Sequence, residues 1–244
     1  MSGLDRWLAE AKNVWETWRL QFARLTPGSN GISDQLHAAD ALNRWRGVRA
    51  LIERPNPGLL PELLQLCGDE DELVRGAAVD ALVSWGPGMV LEPARQALSA
   101  QPGRESAVSL LILLARLPDA ANRAAIEPWL QADEPEMRAA AFMALAALCD
   151  DADLPRLQAA LAEDDILVQR AIMAALCAPE AGSLAEEATA ASDPILRQRA
   201  AQARPRIQRQ LEAKRKAEAR TQKSQQPSAE DKTENDETPV AESH

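Results

Sequence analysis

The sequence predicts an all-α protein, a right-handed α-α superhelix in which antiparallel helical hairpins stack one on the next. Three observations carry that expectation. Apolar residues make up 46% of the chain, yet aromatics are only 3% and Tyr is absent. Ala and Leu dominate, Val, Ile and Thr are sparse, and the remainder is rich in Arg, Gln and Glu, so helix formers are abundant and strand formers few. Apolar residues recur at alternating steps of three and four, the period of one helix face. Finally, a short apolar-Arg-Ala pattern returns along the chain at a period near 31 residues, which marks hairpins too small to bury their own faces alone.

Taken in order, Leu4, Leu8, Ala11, Trp15, Trp18, Phe22 and Leu25 form one stripe on a first predicted helix. Thr26 to Gly31 end it. Ser33 or Asp34 caps a second helix reaching about Arg54, with Leu42, Trp45, Arg49 and Ile52 on one face, and Pro55-Asn56-Pro57-Gly58 stops it. Residues 1–54 therefore read as an N-terminal capping hairpin. Leu59 to Cys67 is a short helix with Pro61 in its first turn, Gly68 to Asp71 an acidic turn, and Glu72 to Trp85 a second helix closed by Gly86-Pro87-Gly88.

The second-helix pattern places a small or apolar residue four positions after an apolar anchor: Val74 and Ala78, Met137 and Ala141, Val168 and Ile172, Leu196 and Ala200. In the first three a Leu follows at plus eight (Leu82, Leu145, Leu176). The anchors are separated by 63, 31 and 28 residues, so one divergent unit belongs in the first gap, where Ser106 to Leu117 fits.

These units, Leu59–Gly86 above all and then 123–150 and 152–178, resemble the HEAT family, and within it the short HEAT-like repeats also found in phycobilisome lyases. The resemblance spans roughly 55–205 and sets repeats over 55–207. It implies a protein-binding scaffold or assembly adaptor. A bilin-lyase-like enzyme that attaches a chromophore to a partner protein is the alternative the resemblance brings. Arg75, Arg138, Arg170 and Arg197 follow or lie near the acidic turns and are expected to hydrogen-bond turn carboxylates or carbonyls, a structural role.

Past Ile207 the apolar face runs out. Residues 208–223 read as a basic helical extension that protrudes and frays, and 224–244, with Val240 as the only large apolar residue, as a disordered acidic tail. Net charge is −10 overall, divided as +2 for 1–54, −15 for 55–196, +8 for 197–223 and −5 for 224–244. Repeats so acidic repel phosphate, which disfavours nucleic acid as a ligand except through the basic helix, and that helix has no interleaved aromatics for base stacking.

Catalytic chemistry finds no grouped residues. The two histidines, His37 and His244, are far apart, no glycine-rich phosphate loop is present, and no acidic turn has calcium-loop spacing. No catalytic, cofactor or metal residue is nominated. Cys67, Cys149 and Cys177 are odd in number and widely spaced, which argues against a disulfide framework and for buried small apolar side chains. The longest apolar run, Ser109 to Ala115, is far short of the about 20 residues that span a bilayer, and residues 1–25 lack a signal-peptide pattern, so a cytoplasmic location is expected. The expected partner is another protein, a basic segment being one candidate for an acidic edge. Its contacts are expected on the solvent side of the second helices, at Asp80, Ser84, Glu136, Met143, Gln169 and Met173, with Trp7, which lies off the first stripe, as a further anchor.

Overall fold

The computed structural model describes residues 31–148 and 150–225. The first predicted helix, with Trp7, the expected tail and Cys149 lie outside the described residues. Within them the chain is all-α, a solenoid with twelve helices and no strand.

The helices are α1 (Ile32–Leu36), α2 (Ala41–Glu53), α3 (Leu60–Gln65), α4 (Glu72–Trp85), α5 (Pro87–Ser99), α6 (Arg104–Arg116), α7 (Arg123–Ile126), α8 (Pro135–Ala146), α9 (Leu154–Ala162), α10 (Ile166–Ala175), α11 (Gly182–Ala188) and α12 (Pro194–Gln225). Each odd helix pairs with the even helix after it. The even helices then stack in sequence, α2 on α4, α4 on α6, and so on to α12, forming one continuous layer. Except for α5, each odd helix is shorter than its even partner, and several are prolonged by 3-10 turns, as at Leu66–Gly68 and Glu127–Gln131. Buried apolar side chains from Ile32 to Ile207 join in a single core.

The even helices begin at residues 41, 72, 104, 135, 166 and 194, steps of 31, 32, 31, 31 and 28. The divergent unit thus takes its place, with Ser106, Leu110 and Leu114 where Val74, Ala78 and Leu82 stand in α4. So does α2, with Asn43, Gly47 and Leu51. A hairpin that reads as a separate cap in the sequence therefore shares the register of the rest. The sequence predicts one helix from Ser33 to Arg54; the structure breaks it at His37–Asp40. Asp40 is the reason: its carboxylate accepts the Asn43 backbone N–H at 2.9 Å and starts α2 afresh.

Packing between even helices depends on residue size at their seventh positions, which read Gly47, Ala78, Leu110, Ala141, Ile172 and Ala200. From Ala78 onward small residues alternate with large ones, and no two large ones are adjacent, so neighbouring helices approach closely. At Gly47 the approach of α1 is tightest: a Cβ there would lie 2.9 Å from Cβ of Gln35 and 3.2 Å from the backbone N of Leu36. Helix α8 is the extreme case. Every residue from Ala139 to Ala147 is buried, on all sides of the helix.

Aspartates cap the helices that carry the stack. Asp71 accepts the N–H groups of Leu73 and Val74, and Asp165 those of Leu167 and Val168. Gly86 ends α4 and opens α5 with φ at 84°, a left-handed conformation that suits glycine. Trp85 donates its indole N–H to the Leu51 carbonyl at 2.9 Å, tying the end of α4 to the end of α2.

Ala141 is fully buried and sits in register between Leu110 and Ile172. Replacing it by Leu puts three large side chains in a row. Ala141→Leu is expected to lower stability by about 1–3 kcal/mol, read from the denaturant midpoint.

Candidate interaction surface

One motif recurs at the fourth residue of the even helices. Arg44 donates from Nη1 to the carbonyls of Ala38 and Ala39, at 3.0 and 2.9 Å. Arg75 does the same to Asp69 and Glu70, Arg138 to Ala132 and Asp133, and Arg197 to Ala191 and Ser192. In α10 the position holds Gln169, whose amide reaches the carbonyls of Leu161 and Glu163 at 3.1 and 2.8 Å. Each side chain folds back over the turn before its helix and supplies the donors that turn carbonyls need. In α6 the position is Ala107, and the preceding turn is Gln101-Pro102-Gly103. Gln101 adopts φ 53° there.

A second set of ion pairs stitches each hairpin to the next. Arg44 binds Asp69 through Nε and Nη2, at 2.7 and 2.8 Å, with both side chains nearly buried. Arg138 reaches Asp165 at 2.7 Å. Arg170, one residue after the recurring position, grips Asp193 through two nitrogens at 3.0 and 2.5 Å. Arg123 pairs with Asp153 and with Asp150, and Arg156 with Glu127. The seam between α4 and α6 is bridged by Arg116 and Asp80 at 2.5 Å, and that between α6 and α8 by Arg104 and Glu136 at 3.3 Å. The acidic turns are thus largely occupied with capping and stitching. The Arg170 guanidinium beside Asp193 holds its carboxyl down at about 2, with the Leu196 N–H adding to the effect.

The nominated contact residues divide accordingly. Ser84 is exposed and its hydroxyl donates to the Ala81 carbonyl. Asp80 and Glu136 are half-buried and bound to the arginines just named. Gln169 is a turn clasp. Met143 and Met173 do not face solvent as expected: they are 5% and 0% exposed. The reason is that the even helices sit so close over α8 and α10 that their front is covered as well as their back. The layer is more open over α2 and α4, where Trp45, Arg49, Ile52 and Val83 are half-buried and the Arg49 guanidinium lies 5.8 Å from the centre of the Trp45 ring.

The C-terminal helix corrects another expectation. It does not begin to protrude at residue 208. Ile207 is buried, the half-buried Arg206 donates to the Met173 carbonyl at 2.9 Å, and Lys214 Nζ reaches Asp151 at 2.8 Å and Glu180 at 3.0 Å. Burial, with Arg209 nearby, pulls the Arg206 guanidinium below its ordinary value. The two carboxylates raise the Lys214 ammonium above its own, Asp151 first. Beside this contact lies an open cleft of about 540 Å³, lined by Leu148, Asp150, Pro179, Gln210 and Ala217 among others.

The cysteines are not alike. Cys67 is a free thiol, buried and pushed up to about 12 by that burial. Cys177 is disulfide-bonded, against the expectation of a simple buried thiol. Among the described residues no group of His, Cys, Asp and Glu is placed to hold a metal ion, and no helix is long and apolar enough to cross a membrane.

Asp193 provides a pH test. Its folded value lies below the ordinary 3.8, so the pair's stabilisation is complete above 3.8 and is lost as pH falls towards 2. Arg170→Met is expected to cost about 2 kcal/mol at neutral pH, with the gap from wild type closing between those two values in thermal melts at stepped pH.

Residues 29–111 match the family model of HEAT repeats. No curated protein matches the chain. The matched stretch spans α1 to most of α6, and α7 to α12 continue its helix register and stacking; residues 29–111 are similar to HEAT repeats.

Proposed function

We propose that the protein is a non-enzymatic scaffold that binds another protein across the face of α2, α4 and α6. A helical repeat stack is suited to protein interaction because its surface grows with repeat number while each unit stays small. The observation that carries the reading is the unequal covering of the even layer. Over α8 and α10 the front is closed by buried Ala, Met and Phe side chains, whereas over α2 and α4 it leaves a half-buried Trp45 with Arg49, and Asp80 and Ser84 beside Arg116. Trp and Arg are the side chains most enriched among energetically dominant interface contacts, and a paired Asp and Arg at the rim set orientation.

The test is site-specific photo-crosslinking in the native cell, with the reactive group placed either at Ser84 or at Gln158, an exposed position on the opposite layer. One protein partner captured from Ser84 and not from Gln158 is the expected result. Equal capture from both, or capture from Gln158 alone, would remove the face from consideration.

A further inference from the structure

The contacts of α12 fix not only where the helix lies but how it is rotated. Leu196, Ala200, Ala203 and Ile207 are buried against the solenoid, and Arg206 and Lys214 extend that inner face through the Met173 carbonyl and the Asp151 and Glu180 carboxylates. At 100° per residue this sends Arg209, Lys216 and Arg220 to the opposite side, along about 17 Å of helix. All three are exposed, and Arg204 and Arg215, also exposed, flank them. Arg209 makes a local bond from Nε to the Pro205 carbonyl at 3.2 Å. The acidic side chain on this face, Glu212, accepts from Gln208 at 3.0 Å.

We infer that this outer face of α12 is a docking surface for an acidic protein segment rich in Asp and Glu. Charge complementarity carries the assignment. The inner face shows the chemistry already: Lys214 is taken by two carboxylates from separate turns. The outer face presents the same side-chain type turned away from the carboxylates of the repeats. A short acidic segment could follow a 17 Å row without touching the rest of the molecule, about five residues of extended chain sufficing. A long polyanion would overlap the repeats, which carry a net −15 over 55–196. Nucleic acid is disfavoured further because residues 197–223 contain no aromatic side chain on which a base could stack. This surface is separate from the face of α2, α4 and α6, so either assignment stands if the other fails.

The experiment uses the full chain and fluorescence anisotropy at about 50 and 150 mM salt, a range over which exposed charges are progressively screened. The probes are an alternating Asp-Glu peptide of about 20 residues, a single-stranded oligonucleotide of similar length, and vesicles containing phosphatidylserine. Variants are the triple Arg209→Glu, Lys216→Glu, Arg220→Glu and a control, Arg54→Glu, at an exposed position elsewhere. All substituted positions are exposed, and unchanged melting of the variants verifies folding. The expected result is peptide binding that weakens with salt, falls about tenfold or more in the triple variant and is unchanged in the control. Absence of peptide binding at the lower salt, equal binding by the triple variant, equal loss in the control, or tighter binding of the oligonucleotide or the vesicles would each overturn the proposal.

Discussion

The stack depends on the donor group that five of its six even helices turn back over their own entry. A hairpin of this size has two helix termini meeting in a turn of three or four residues, and the turn carbonyls point at no backbone partner. A guanidinium at the fourth position supplies donors to two of them at once. Arg44 and Arg138 go further, since the nitrogens left over reach an aspartate in the following turn. In these two hairpins one side chain therefore closes its own turn and ties down the next hairpin, within a register of 31 to 32 residues across the first five hairpins.

That arrangement accounts for much of the acidic composition. In the sequence the acidic turns, with Asp69, Asp150, Asp153 and Asp165 among them, read first as helix caps and second as a charged edge for a partner; Asp193 takes the same place in the last turn. In the structure each of these aspartates accepts hydrogen bonds from an arginine of the preceding hairpin. The excess of negative charge is real, but the carboxylates nearest the turns are committed within the molecule. Other carboxylates, such as Glu105, Asp133, Glu134 and Asp164, stay exposed, and the accessible positive charge gathers on the far side of α12.

The fold was legible because its signals are repetitive. Anchor residues such as Val74, Met137 and Val168, followed by Ala and Leu at fixed offsets, identify second helices with no other information. Arg75, Arg138 and Arg197 stand out for the same reason. Arg44 escapes notice because Asn43 occupies the anchor position, and Gln169 because a glutamine stands where its counterparts are arginine, so that the adjacent Arg170 attracts the assignment instead. Met143 and Met173 illustrate a different limit. Periodicity distinguishes one face of a helix from the other, but it does not tell how many sides are covered, and α8 is covered on all of them. The docking of α12 beyond Ile207 was hidden too, since it rests on Lys214 meeting Asp151 and Glu180, residues 63 and 34 positions away.

The turn at Gln101-Pro102-Gly103 differs from its counterparts in having no carboxylate. Arg75 consequently has no acid to meet in the following turn, and the described polar link across that seam is the half-exposed pair of Arg116 and Asp80. The α6–α8 seam has Arg104 with Glu136 and Arg95 with Asn122, and at the remaining seams an arginine and a shielded aspartate join successive turns. In mechanical terms the solenoid is a spring whose coils are unequally stiff: a bending load applied at its two ends concentrates between α4 and α6, where the coils are joined mainly by apolar contact and can slide at least cost.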